Sequence, residues 1–172
     1  LSNHLGVAEE QLIFGNGSDE LLVLLAQSFI GADKEIIMAE ITFSEYEFAT
    51  KIMGGNIIKV PLKNYTHDLE GMLDKITDKT GMIFICNPNN PTGTMVTQSE
   101  VEEFLERVPE DIIVVFDEAY YEYATNENYP ETVQYLSDYN NIIILRTFSK
   151  AYALAGLRIG YNKETKDFVF NP

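Results

Sequence analysis

The sequence predicts an α/β fold of three layers, α/β/α, built about a mostly parallel sheet. Three observations predict it. Short β-rich apolar runs alternate with longer helical patterns along the chain, as strands and crossover helices do around a parallel sheet. Two of the runs, Met82-Ile83-Phe84-Ile85-Cys86 and Ile112-Ile113-Val114-Val115-Phe116, are apolar without interruption, which suits strands covered on both faces. Hydrophobic residues make up 45% and charged residues 23% of 172 residues, so the chain can bury the core of one domain.

The elements follow in order. Gln11 to Phe14 reads as the first strand, with Gly15-Asn16-Gly17 as the turn after it and Ser18 or Asp19 as the cap of a helix reaching Ile30. A strand over Glu35 to Ala39 precedes a helix near Ser44 to Met53, which Gly54-Gly55 ends. A strand at Ile57 to Pro61, a helix at Leu69 to Lys75 and the strand Met82 to Cys86 come next, then a loop punctuated by proline and glycine from Pro88 to Gly93. Thr97 and Glu100 have the spacing of a capping box, opening a helix that runs to Arg107. The strand Ile112 to Phe116, a helix at Glu131 to Ser137 and the strand Ile142 to Arg146 complete the pattern. Residues 1–161 are therefore read as one domain and 162–172 as a poorly specified tail, because the periodicity fades after Tyr161.

Charge and composition narrow the function. Twelve basic and 27 acidic residues give 12 − 27 = −15, a field that disfavours nucleic acid and anionic membranes as partners. Any anionic ligand must be captured locally. One cysteine, Cys86, and two histidines, His4 and His67, provide neither a disulfide nor a metal cluster, so no metal is expected and a reducing cytoplasm fits. Neither a signal peptide nor a membrane span is indicated. The chain opens at Leu1 rather than Met and closes at Asn171-Pro172, so either end is compatible with a cut.

In open parallel sheets ligands bind beyond the carboxyl ends of the strands, and the residues there carry chemistry. Gly15-Asn16-Gly17-Ser18-Asp19-Glu20 follows the first strand, and Asn87-Pro88-Asn89-Asn90-Pro91-Thr92-Gly93 the fourth. Asp117-Glu118-Ala119-Tyr120 follows the fifth, and Thr147-Phe148-Ser149-Lys150 the sixth, with Arg158 further on. Each string alone marks a turn or a surface charge. No Gly-x-x-x-x-Gly-Lys-Ser/Thr string is present, so a nucleotide P-loop does not explain the first glycines.

With Asn-Pro-Thr-Gly, Asp-x-Ala-Tyr, Ser-Lys and the downstream arginine in this order and spacing, the chain resembles the large domain of the fold-type I pyridoxal 5′-phosphate (PLP) aminotransferases, in particular the branch acting on histidinol phosphate. The likeness runs from Leu1 to about Tyr161. It implies that Lys150 binds the cofactor covalently and serves as general base and acid at the substrate α-carbon. It implies that Asp117 keeps the pyridine nitrogen protonated, and that Asn90 and Tyr120 donate to the ring's phenolic oxygen. The phosphate would lie at Gly17, Ser18 and Asp19, where a helix begins, with Thr147 and Ser149 adding hydroxyls and Arg158 a guanidinium. Phe43 would cover the ring face; a plain core phenylalanine is the other reading. Asn87 and Asn89 are read as loop residues bonding locally to backbone, the Asn90-Pro91 peptide as cis, as in relatives, and Glu118 as facing away from Asp117.

The resemblance implies transamination between an amino-acid-like small molecule and a 2-oxo acid, histidinol phosphate and 2-oxoglutarate giving imidazole acetol phosphate and glutamate in histidine biosynthesis. Family members act as homodimers and are about twice this length. An N-terminal arm and a C-terminal small domain holding the substrate carboxylate are expected outside this segment, which alone should turn over poorly. Other aminotransferases, for instance on aromatic amino acids, and threonine-phosphate decarboxylases share these motifs. A PLP-binding module without catalysis is the reading from another class; as half of a regulator it would carry a basic helix-turn-helix region, and none is visible.

Overall fold

The computed structural model describes residues 1–164. After a short helix α1 (Ser2–Leu5) the order is β1 (Leu12–Asn16), α2 (Ser18–Phe29), β2 (Glu35–Ala39), α3 (Glu45–Ile52), β3 (Asn56–Val60), α4 (Leu69–Leu73), β4 (Thr80–Cys86), α5 (Gln98–Leu105), β5 (Ile113–Asp117), β6 (Ile142–Thr147) and β7 (Ile159–Glu164). The strands form one sheet in the order β1-β7-β6-β5-β4-β2-β3. Neighbours from β6 to β3 run parallel, and β7 runs antiparallel to both β1 and β6. The α/β class and the mostly parallel sheet are as expected.

The three layers come from side chains alternating along fully buried strands. On β2, β4, β5 and β6, Ile37, Ile83, Ile85, Val114, Phe116 and Ile144 face one core with α4 and α5 residues such as Met72, Val101 and Phe104. Their neighbours Ile36, Met38, Met82, Phe84, Val115, Ile143 and Leu145 face the other, with Leu21, Leu22 and Leu25 of α2 and Tyr46 of α3. Residues in β2, β4, β5 and β6 are buried throughout, as uninterrupted apolar runs require. At α5, the Glu100 carboxylate accepts from both the backbone N–H and the hydroxyl of Thr97 at 2.7 Å.

Four expectations are corrected. Gly15 and Asn16 belong to β1 rather than to a turn, because they pair with Gly160 and Ile159 of β7; only Gly17 breaks away, with φ 77°. The expected helix at Glu131 to Ser137 is a 3-10 helix over Thr132–Ser137. Ser18 and Asp19 do not cap α2: Gly17 is the cap residue, and both lie within the first turn. The boundary after Tyr161 falls inside β7, since Asn162, Lys163 and Glu164 are buried strand residues between β1 and β6. Their polarity hid a strand whose place is fixed by its neighbours. The rest of the expected tail lies outside the described residues.

The key join is backbone to backbone. A Cβ at Gly160 would stand 2.3 Å from Ser18 N and 2.5 Å from Gly17 C, so β7 passes directly beneath the start of α2. Since backbone rather than a flexible side chain blocks that space, Gly160→Ala is expected to lose about 2 kcal/mol of stability, read as a lower urea midpoint at an unchanged slope.

Candidate functional site

At the carboxyl ends of β4, β5 and β6, beside the start of α2, one cleft is lined by Ser18, Asp19, Phe43, Asn90, Asp117, Tyr120, Thr147, Ser149, Lys150 and Arg158, together with Cys86 and Ala119. The structure thus brings together every residue that the resemblance assigns to the cofactor except Gly17, which does not line the cleft. At Gly17 a Cβ would fall 2.2 Å from Arg158 Nη2, and φ is positive, so glycine alone fits.

One end of the cleft suits an anion. Gly17 N–H donates to the Arg158 carbonyl at 2.8 Å, and Asn16 N–H donates to Glu20 Oε2 at 2.7 Å. The N–H groups of Ser18 and Asp19, in the first turn of the twelve-residue α2, have no partner within the helix and stand at the positive end of its dipole. Arg158 crosses from the far side, its Nη2 2.9 Å from Asp19 Oδ2. Both side chains are about half exposed, so this pair orients the guanidinium more than it stabilises the fold. Ser149 N–H donates to Thr147 Oγ1 at 3.1 Å, shaping the loop that carries Lys150.

The middle of the cleft holds a buried acid. Asp117, the last residue of β5, accepts from Ala119 N–H on Oδ1 at 3.1 Å and from the Tyr46 hydroxyl on Oδ2 at 2.6 Å. Burial pushes its pKa up, and the two hydrogen bonds and the Lys150 charge oppose that rise. Lys150 is exposed, with Nζ 5.4 Å from the centre of the Tyr120 ring. Phe43 meets Tyr46 edge-on, ring centres 5.7 Å apart and planes at 81°. An amine, a buried carboxylate, an amide, a phenol, an aromatic face and an anion cradle therefore share one space. Among the described residues no group of three or more His, Cys, Asp or Glu could hold a metal ion.

The supporting residues were harder to foresee. Asn87 bonds to backbone as expected, but across the loop rather than locally, with Oδ1 accepting from Val96 N–H at 3.0 Å and Nδ2 donating to Val96 O at 3.3 Å. Asn89 reaches beyond the loop. Its Nδ2 donates to Ile41 O at 3.1 Å and to Thr92 Oγ1 at 2.9 Å, and its Oδ1 accepts from Thr42 Oγ1 at 2.7 Å. His67 Nε2 completes the set, 3.2 Å from the same Oδ1. This network ties down the loop bearing Asn90, in which the Asn87-Pro88 and Asn90-Pro91 peptides are cis. Glu118 points away from Asp117, as the alternation predicts, and pairs with Arg146 at 2.8 Å inside the protein. Missed altogether were Tyr46, His67, Arg146 and Gly160; among these, a charged residue closing an apolar strand, as Arg146 does, was the one local signal.

The family model for aminotransferases of class I and II matches residues 2–163. A histidinol-phosphate aminotransferase of Moorella thermoacetica is 51% identical over 98% of this chain and 44% of that protein. The solved histidinol-phosphate aminotransferase of Sinorhizobium meliloti, in complex with pyridoxal-5′-phosphate, superimposes with a TM-score of 0.87 at 32% identity, over 95% of this chain and 45% of that one. An L-threonine-O-3-phosphate decarboxylase from Porphyromonas gingivalis gives a TM-score of 0.80 at 27% identity, over 96% of this chain and 50% of that one. The chain spans about half the length of the curated relatives it matches.

Burial moves the His67 pKa from 6.5 down to about 4, so it is neutral and donates to Asn89 through Nε2. Between those values the unfolded chain binds more protons than the folded one. Stability is then full above about pH 6.5 and falls as the pH drops toward 4. About 2 kcal/mol should be gone by pH 5 on this account, and urea titrations at pH 7 and pH 5 should show that loss shrinking in His67→Gln.

Proposed function

The chain belongs to the class I and II aminotransferases, and from that premise we propose that it forms the PLP-binding part of a histidinol-phosphate aminotransferase. The substrates on this reading are histidinol phosphate and 2-oxoglutarate, in histidine biosynthesis. The observation that carries it is the convergence of Lys150, Asp117, Asn90, Tyr120 and Arg158, from separate loops, on one cleft. Relatives near 50% identity bear that activity in their names, whereas the decarboxylase lies at 27% and an aromatic aminotransferase of Pyrococcus horikoshii at 25%.

The residues present fit the cofactor. The N–H groups of Ser18 and Asp19, at the start of α2, would hold the phosphate with Arg158, Thr147 and Ser149; Gly17 takes no direct part, because its N–H is bonded to the Arg158 carbonyl, and it serves through the positive φ that starts the helix. Bound PLP supplies an aldehyde and an electron-withdrawing ring for exchange of an amino group. Lys150 would hold the group at its aldehyde carbon, with loss of water, and its Nζ, freed when the substrate amine takes its place, would take and return the proton at the substrate α-carbon. Asp117, buried at 2% exposure, would hold the proton on the ring nitrogen by charge attraction. Asn90 and Tyr120 would donate to the phenolic oxygen, and Phe43 would keep water off one ring face.

This reading treats residues 1–161, extended through β7 to Glu164, as the larger part of a PLP-binding domain, in a protein that acts as a cytoplasmic homodimer. No helix among the described residues is long and apolar enough to cross a membrane. None of the residues in the cleft is assigned to the substrate α-carboxylate, so the segment alone would orient substrate poorly and turn over slowly. A module that binds PLP without catalysis would show the cofactor attached and no turnover in the whole protein.

Two expected outcomes test the reading. After loading with PLP and reduction with borohydride, peptide mapping should find the label on Lys150; a label on another lysine would remove the assignment. In the whole protein Asp117→Asn should lower turnover by roughly a hundredfold or more while weakening PLP binding little, since the ring nitrogen serves the chemistry more than the affinity. Arg158→Ala should do the reverse, and equal losses in both variants would refute the division.

A further inference from the structure

Behind the cleft stands a residue that the proposed function leaves unused. Tyr46 has no exposed surface. Its hydroxyl donates to Asp117 Oδ2 at 2.6 Å, the length of a hydrogen bond to an ionised oxygen. Its ring stacks on Phe84, centres 4.5 Å apart and planes within 5°, and packs in a T-shape with Phe43. One side chain thus touches both the buried acid and the aromatic wall of the cleft. Phe84 belongs to β4 and is itself buried, so the ring rests on a rigid support.

Packing alone does not account for the hydroxyl. A phenylalanine would fill the same space and keep both ring contacts, whereas a buried hydroxyl needs a partner. The charged and titratable groups facing Asp117 come from every side: Tyr46 before it on α3, Cys86 on β4, Asp19 on α2 and Lys150 after β6. Burial and the Asp117 charge push the Cys86 thiol up to about 12, so it brings no charge. Asp19 opposes ionisation of Asp117, and Lys150 favours it less than the Tyr46 hydrogen bond does. Burial and the neighbouring carboxylate also push the Tyr46 phenol well up, which keeps it a donor at any physiological pH.

We infer that Tyr46 is a positioning residue, whose hydroxyl fixes the Asp117 carboxylate toward the cleft while its ring seats Phe43. The inference rests on the reading of Asp117 as partner of the cofactor's ring nitrogen. Its test compares Tyr46→Phe, Asp117→Asn and the double variant in the whole protein. In the cofactor-free form, carbon-13 NMR follows the titration of the Asp117 carboxyl, a resonance identified by its loss in Asp117→Asn. Losing a hydrogen bond to a charged group should raise the midpoint by about one to two pH units in Tyr46→Phe. A fluorinated tyrosine at position 46, of nearly the same size but a stronger donor, should lower it, so the contact stays testable even where phenylalanine folds badly.

In the PLP-loaded protein, Tyr46→Phe should cut kcat roughly tenfold with KM nearly unchanged, and should change kcat less than about twofold when Asp117 is already Asn. An unmoved midpoint, or two effects that multiply independently, would overturn the inference. A harmless Asp117→Asn would instead sink the functional reading and with it the catalytic meaning of Tyr46. That outcome is distinguishable, because the midpoint shift in the cofactor-free protein would persist.

Discussion

The site depends on one close approach, that of the β7 backbone to the first residues of α2. Gly17 N–H is satisfied by the carbonyl of Arg158, and Gly160 lies against Gly17 and Ser18 with no space for a side chain. Because β7 is hydrogen-bonded on both edges, to β1 and to β6, its position is over-determined. Arg158, which takes a left-handed conformation with φ 51° just before the strand, is held there by the same pairing. Helix start, guanidinium and the loop after β6 are therefore set by a single strand, and they move together or not at all.

A second constraint comes from the pleat of β5. Consecutive residues at its end point to opposite sides, so Asp117 reaches the cleft while Glu118 enters the protein behind it. There Glu118 meets Arg146, whose guanidinium lies 3.5 Å from the centre of the Tyr121 ring, and the Thr132 hydroxyl donates to the other carboxylate oxygen. Such a buried pair gains little net stability over apolar residues of equal size, yet removing one partner leaves an uncompensated charge. Its effect here is to fix the backbone on either side of Tyr120. Lys163 of β7 shares that interior, where burial and the Arg146 charge draw it down to about 8; its neighbour Glu164, lifted by burial to about 7, alternates to the other face.

What could be read from the sequence follows from where the information resides. The inner strands announced themselves because both faces are buried, which demands unbroken apolar runs. The cleft residues did so because a parallel sheet delivers the ends of its strands to one edge. β7 could not, since Asn162-Lys163-Glu164 looks like a solvated tail and becomes strand only through its two partners. Tyr46 and His67 were equally silent: their hydrogen bonds reach residues 71 and 22 positions away, and nothing local distinguishes Tyr46 from any aromatic residue on an amphipathic helix. Sequence order revealed the groups that line the cleft, and tertiary packing alone revealed those that hold them.

The charge of the chain adds a last step to this division. A formal charge of −15 gives the molecule no long-range attraction for an anion, and the Arg158 guanidinium is already paired with Asp19. What the anion end of the cleft offers a phosphate-sized group is therefore short-range and directional: backbone N–H groups at a helix start, hydroxyls, and the Arg158 cation shared with a carboxylate. Directed donors of this kind lose their value with small displacements, because a hydrogen bond weakens steeply with distance and angle. A site so built needs a rigid frame more than it needs charge. The glycine contact beneath α2 and the two-sided pairing of β7 provide that frame, so residues with no chemistry of their own fix where the donors at the anion end stand.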